Sequence, residues 1–131
     1  MNATLISANV LVFITFIIHT FMGDKEYMHL EPDQTQETRF RVYWSMGRGA
    51  FHIVSADFLL ATVLLGLVNF SNFFQDKTLI LKLLSLYFLM YGVGFFLALA
   101  VSKKFPKIFI IMWQWILMLV ISGLIYLGIE S

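Results

Sequence analysis

Four stretches of this chain, residues 4–22, 50–73, 79–101 and 105–129, are long apolar runs broken by few charges. A helix needs about 20 such residues to cross the ~30 Å hydrocarbon core of a bilayer, and each run is near or above that length. The composition leaves little alternative. Hydrophobic residues make up 60% of the 131, against about 45–50% in a typical soluble domain. Charged residues make up 13%, about half the usual ~25%. A water-soluble domain this small has too much surface for its volume to hide that much apolar side chain. The expected fold is therefore all-α: a four-transmembrane-helix up-and-down bundle forming one membrane domain over residues 1–131. The first run is expected to be a retained helix rather than a cleaved signal. No basic residue precedes it, and "FMGDKE" follows it in place of a small-residue cleavage site.

Lysine and arginine set the expected orientation. The segment between the first two runs carries Lys25, Arg39, Arg41 and Arg48, and the turn between the last two carries Lys103, Lys104 and Lys107. The opposite face has only Lys77 and Lys82. The positive-inside rule makes the first face cytosolic, with both termini outside, in a bacterial inner membrane. An "NAT" sequon at Asn2 would then also face outward. The segment 23–49 is the one sizeable polar stretch. Pro32 and Asp33 read as a helix start, and Glu37 and Arg41 are spaced as an i,i+4 pair. Arg39, Arg41, Tyr43 and Trp44 suit an amphipathic helix lying at the headgroup level. Gly47 and Gly49 would allow a bend before the second span.

The net charge of +1 suggests no nucleic-acid partner, and the lack of cysteine rules out disulfides and thiolate chemistry. No GxGxxG, phosphate loop, HExxH or GxSxG is present, so whether the chain is an enzyme stays open. What chemistry there is lies in ionisable residues placed inside the runs, where they are costly and normally face the bundle interior. These are His19, His52 and Asp57. Counted at 1.5 Å per residue, His19 lies ~5 Å and His52 ~3 Å inside the cytosolic ends of their helices, with Asp57 ~7 Å deeper. Residues at three- and four-residue spacing form an interior-facing stripe on each helix. In the first helix it is Ala8, Val12, Thr15, His19, Met22 and Glu26, and in the second it includes Arg48, His52, Ser55 and Leu59. Packed together, the stripes would bring His19 and His52 within reach of one cation or one hydrogen-bond chain.

The candidate site is accordingly His19, Glu26, Arg48, His52, Asp57 and Gln114. His19 and His52 are the metal-ligand candidates, and Gln114, Trp113 or Lys104 are candidate partners for Asp57. The site would take a metal ion or a small polar ligand. Haem held by the two histidines is the less favoured cofactor, because both rings sit near the membrane surface. Two other readings use the same residues. One is an accessory or scaffold subunit of a larger membrane complex, in which they only pack helices. The other is a proton-coupled transporter working as a dimer, one form of the homo-oligomer the chain could make, since four helices alone do not enclose a pathway. Membrane lipid is the expected surrounding in every case, and the fourteen phenylalanines are read as lipid-facing bulk.

"IHTFMGDKEYMHLEP" followed by "AFHIVS" resembles the pattern of an uncharacterised group of small four-helix bacterial membrane proteins. His19, Gly23, Glu26, Pro32, Phe51 and His52 carry the likeness, with Phe51 where that group has tryptophan. The resemblance covers about the first half of the chain. It implies a bacterial inner-membrane location and a common role for His19, Glu26 and His52, but no activity. The small multidrug transporters share this length and span number, but they carry a mid-depth glutamate in the first helix that this chain lacks.

Overall fold

The computed structural model of the protein describes residues 2–102 and 107–130. Among them every regular element is helical: α1 (Ala3–Ile17), a π-helical turn (Ile18–Gly23), α2 (Asp24–Met28), α3 (Thr38–Phe70), α4 (Lys77–Val101), α5 (Ile108–Ile111) and α6 (Gln114–Glu130). The first three follow one another without a break, so one helix runs over Ala3–Met28. That helix, α3 and α4 are each long and apolar enough to cross a membrane. Many of their large apolar side chains point outward, among them Ile53, Leu60, Leu83 and Met90. A helix surface of that kind is suited to lipid rather than water.

The chain divides into two compact units. One comprises Met1–Asn9 with Leu64–Ser131. Here α4 packs on α6 with Leu81, Leu84, Phe88, Met118, Ile121 and Ile125 buried. The close approach is set by small residues. Ser85 Oγ donates to the Ser122 carbonyl at 3.0 Å, and Ser122 Oγ returns a bond to the Ser85 carbonyl at 2.7 Å. A Cβ on Gly92 would lie 2.7 Å from Leu119 Cδ2 and 3.1 Å from the Trp115 carbonyl oxygen. Small residues at helix contacts are the usual device in apolar surroundings, where packing and interhelical hydrogen bonds replace the hydrophobic drive.

In the same unit Asn2 starts α1, its Oδ1 accepting from Thr4 N at 3.0 Å and Leu5 N at 3.2 Å. Its side-chain nitrogen, the atom of the sequon, donates to the Gly128 carbonyl at 2.7 Å. Asn69 Nδ2 donates to the Leu5 carbonyl at 3.2 Å, and Asp76 caps α4 by accepting from Leu79 N at 2.8 Å.

The second unit is Val10–Val63. Val12, Ser55, Phe58 and Ala61 are buried in it. Several expected boundaries are corrected here. The first helix does not stop at Met22 but continues through the π turn to Met28. The proposed helix start at Pro32–Asp33 is a turn, with Gln36 N bonded to the Asp33 carbonyl at 3.0 Å. Among the described residues there is no separate interfacial helix: α3 begins at Thr38 and runs unbroken for 33 residues, about 50 Å at 1.5 Å per residue. Gly47 and Gly49 do not bend it. Gly47 leaves room for the Tyr27 hydroxyl, which a Cβ at that position would strike.

Helix α4 (Lys77–Val101) begins two residues before the third apolar run and ends with it. The fourth is not one helix over the described residues. Lys107 has a left-handed backbone (φ 61°), α5 is a single turn, Met112 leaves helical geometry and α6 then runs 17 residues. Phe105, which opens the expected fourth span, lies outside the described residues, as do Lys103 and Lys104.

Candidate functional site

The π turn covers "IHTFMG", where the first apolar run meets the polar segment. A π turn bonds i to i+5, one residue more than an α turn. His19 and Asp24 are five residues apart. On a regular α-helix, at 100° per residue, they would point ~140° apart. With the extra residue they lie one turn apart, and both reach α3. His19 Nδ1 hydrogen-bonds Ser55 Oγ at 2.9 Å. Asp24 Oδ1 accepts from Arg48 Nε at 2.9 Å, and its Oδ2 accepts from Arg48 Nη2 at 3.1 Å. His52 Nε2 approaches the same Oδ1 at 3.1 Å.

Between these two anchor points lies Phe51. Its ring stacks on His19, with centroids 3.8 Å apart and planes 11° from parallel. Phe58 meets the same imidazole edge-on at 5.4 Å. The Phe51 ring fits because Gly23 has no side chain: a Cβ there would stand 2.6 Å from Phe51 Cζ. One turn further on, Tyr27 and Trp44 face each other at 5.9 Å, and each is 3.4 Å from the other's backbone carbonyl. Arg48 rests over the Trp44 ring at 5.7 Å. Every one of these contacts lies within Val10–Val63.

The ion pair is a two-pronged match between a planar guanidinium and a carboxylate, the geometry that gives charge-assisted hydrogen bonds their strength and direction. It remains open to the outside. The side chains of Arg48, His52 and Asp24 keep 35%, 43% and 23% of their surface exposed. Thr20, inside the π turn, has a buried hydroxyl oxygen with no hydrogen-bond partner, the one such side-chain atom among the described residues.

The structure brings together His19, Arg48 and His52 of the expected site residues, but not in the expected way. The two imidazoles do not share a cation position: Phe51 lies between them, stacked on His19 and 5.9 Å edge-on from His52. Among the described residues no group of three His, Asp or Glu side chains converges as a metal site would require. Glu26, the expected carboxylate, is exposed and makes no ion pair among the described residues; Asp24 has that role. Met22, read as interior, is 64% exposed. Both corrections have one cause. The stripe Ala8–Val12–Thr15–His19 follows α-helical spacing, and the π turn then shifts every later residue by one position. Tyr27 therefore faces α3 where Glu26 was expected.

On α3 the interior stripe continues from Ser55 through Phe58, Ala61 and Leu65 rather than through Leu59, which is exposed. Asp57 is half-buried in the same unit, and the bonds that join Asp24, Arg48 and His52 do not include it. Gln114 is exposed at the start of α6, in the other unit. Lys104, another partner suggested for Asp57, lies outside the described residues. The residues the sequence reading missed are Asp24, Tyr27 and Phe51 as a group. A signal was available in Gly23, a residue disfavoured within helices, which marks where the ring of another helix comes close.

No protein-family model, curated protein or solved structure matches the chain. Its class therefore rests on the fold: a helical protein with, among the described residues, three helices long and apolar enough to cross a membrane.

Proposed function

We propose that this is a small multi-pass protein of a bacterial inner membrane, a four-helix bundle akin to the group it resembles, that binds a small polar ligand at the cytosolic ends of its first two spans. Both termini would face outward. The observation that carries the reading is the meeting of Asp24, Arg48 and His52, drawn from segments 24 to 28 residues apart and left partly open. His52 lies inside the second apolar run, and an ionisable group placed there starts as a candidate for function rather than packing. A metal ion would find fewer than three strong donors among the described residues, so a polar organic ligand or small ion is the version favoured.

The test is thermal unfolding of the full chain in neutral detergent with zinc, inorganic phosphate and acetate as separate probes. Wild type should be stabilised by one of them, and Arg48→Gln or His52→Ala should lose that response while remaining helical. No response to any probe in a folded wild-type protein would refute ligand binding at this cluster.

One observation favours the second reading, an accessory subunit. The three groups already satisfy one another, as a purely structural clamp would. On that reading Arg48→Gln lowers thermal stability, no probe changes it, and affinity capture from native membranes returns a stoichiometric partner.

A further inference from the structure

We infer that Arg48 and His52 form an oxyanion-binding site that Asp24 fills from within the chain, so that an external phosphate group binds by displacing it. The inference rests on the ligand-binding reading above and names its ligand class. Three donors converge on the two oxygens of one carboxylate: Arg48 Nε at 2.9 Å, Arg48 Nη2 at 3.1 Å and His52 Nε2 at 3.1 Å. A guanidinium fork with an imidazole beside it is a complement to any group carrying two oxygens and a negative charge. Trp44 lies beside the guanidinium at 5.7 Å and helps fix its plane. Arg48 and His52 are more exposed than the carboxylate between them, at 35% and 43% against 23%, so an outside anion can approach them.

What separates this from an ordinary surface ion pair is how Asp24 arrives. It sits directly after a π turn, an uncommon element that recurs at functional sites, and this one keeps the Thr20 hydroxyl buried without a partner. In the α register, residue 24 would turn ~100° away and leave Arg48 and His52 open. The chain thus holds its own carboxylate in the clamp through a backbone conformation with an alternative. The anion is the phosphate of a lipid headgroup or a free phosphate; the required chemistry is the same, and the two sources differ in how they are delivered.

The experiment uses the full chain. Asp24→Asn keeps the shape and removes the charge. Inorganic phosphate, titrated by calorimetry in neutral detergent, should bind Asp24→Asn about tenfold more tightly than wild type, since a competing charge-assisted contact is gone. Asp24→Asn/Arg48→Gln should lose that binding. Equal affinity in wild type and Asp24→Asn, or binding that survives loss of Arg48, overturns the inference.

The same proteins in nanodiscs of phosphatidylglycerol or phosphatidylcholine separate the sources. If phosphatidylglycerol alone blocks the added phosphate, the headgroup is the occupant; if neither lipid does, the free ion is. Should Asp24→Asn fail to fold, phenylglyoxal labelling of wild type, read peptide by peptide in a mass spectrometer, replaces the titration. Phosphate should protect Arg48 and leave Arg39 and Arg41 reactive, and equal protection of all three overturns the inference. A protein stabilised by zinc through His52 but indifferent to phosphate would keep the ligand site and discard the oxyanion.

Discussion

Replacing Gly23 with alanine tests whether the π turn and Phe51 form one packed unit, because two opposing effects have different owners. The backbone at Gly23 is ordinary right-handed helix (φ −65°, ψ −40°), so alanine enters without strain. On propensity alone it should stabilise the helix by about 1 kcal/mol. The new Cβ, however, would lie 2.6 Å from Phe51 Cζ, where carbon atoms rest at about 3.5–4.0 Å. The ring must retreat by about 1 Å. It is not free to do so, because the ring is stacked face-on against His19 at 3.8 Å and His19 is tied to Ser55. Overfilling a packed site costs about 1–3 kcal/mol. The net expectation for Gly23→Ala is a loss of about 1 kcal/mol.

In a Phe51→Ala background the obstruction is gone. There the same Gly23→Ala change should stabilise by about 0.5–1 kcal/mol, so its sign reverses. The four proteins, unfolded reversibly in mixed detergent micelles and followed by circular dichroism, complete the cycle. A coupling of about 1–3 kcal/mol is expected between the two sites. Additivity within about 0.5 kcal/mol would refute the idea that glycine is there to admit the ring.

Ser85→Ala and Ser122→Ala should each cost about 0.5–1.5 kcal/mol. The double variant should show about 0.6 kcal/mol of coupling in the same unfolding assay, as interhelical hydrogen bonds in membranes do on average. Gly92→Leu should lower the unfolding free energy by at least about 1–3 kcal/mol by forcing α4 away from the Trp115 carbonyl, and Gly94→Leu, with nothing within 4 Å of its Cβ position, should not. Asn2→Ala should cost about 1 kcal/mol through loss of the α1 cap, with the added loss of the bond to Gly128, read as a lower midpoint of thermal unfolding. Glu26→Gln should leave stability and every ligand response unchanged, because the exposed Glu26 side chain is joined to none of the groups at Asp24.

How much of this was legible in the sequence follows from which signals are additive and which are not. Apolar length is additive along a chain, so the helical class and the α4 boundaries could be read directly. Asp76, at the head of α4, accepts from Leu79 N and is a residue type that commonly caps helices. Helical phase is not additive once an extra residue enters a turn. Counting from His19 at 3.6 residues per turn leads to Glu26 and Met22, and nothing in "IHTFMG" reveals that the backbone will bond i to i+5. Glycines misled for a related reason. Gly47 suggested a bend, but in α3 it makes room for Tyr27. The break after Ile111 has no proline or glycine beside it. The Trp115 indole donates to the Phe109 carbonyl across that break at 3.2 Å, a tertiary arrangement with no local sequence mark. Of the site, the two histidines and Arg48 could be found by depth and charge, whereas Asp24 could not, because its place depends on the turn before it.

The π turn also bears on how kindred chains should be compared. A homologue with a plain α turn after its first-helix histidine would need its carboxylate four residues on, where this protein has glycine. Aligned without a gap, the two sequences would seem to have lost and regained an acid, although the same group occupied the same point in space. A one-residue insertion, not a substitution, would be the evolutionary event that separates them.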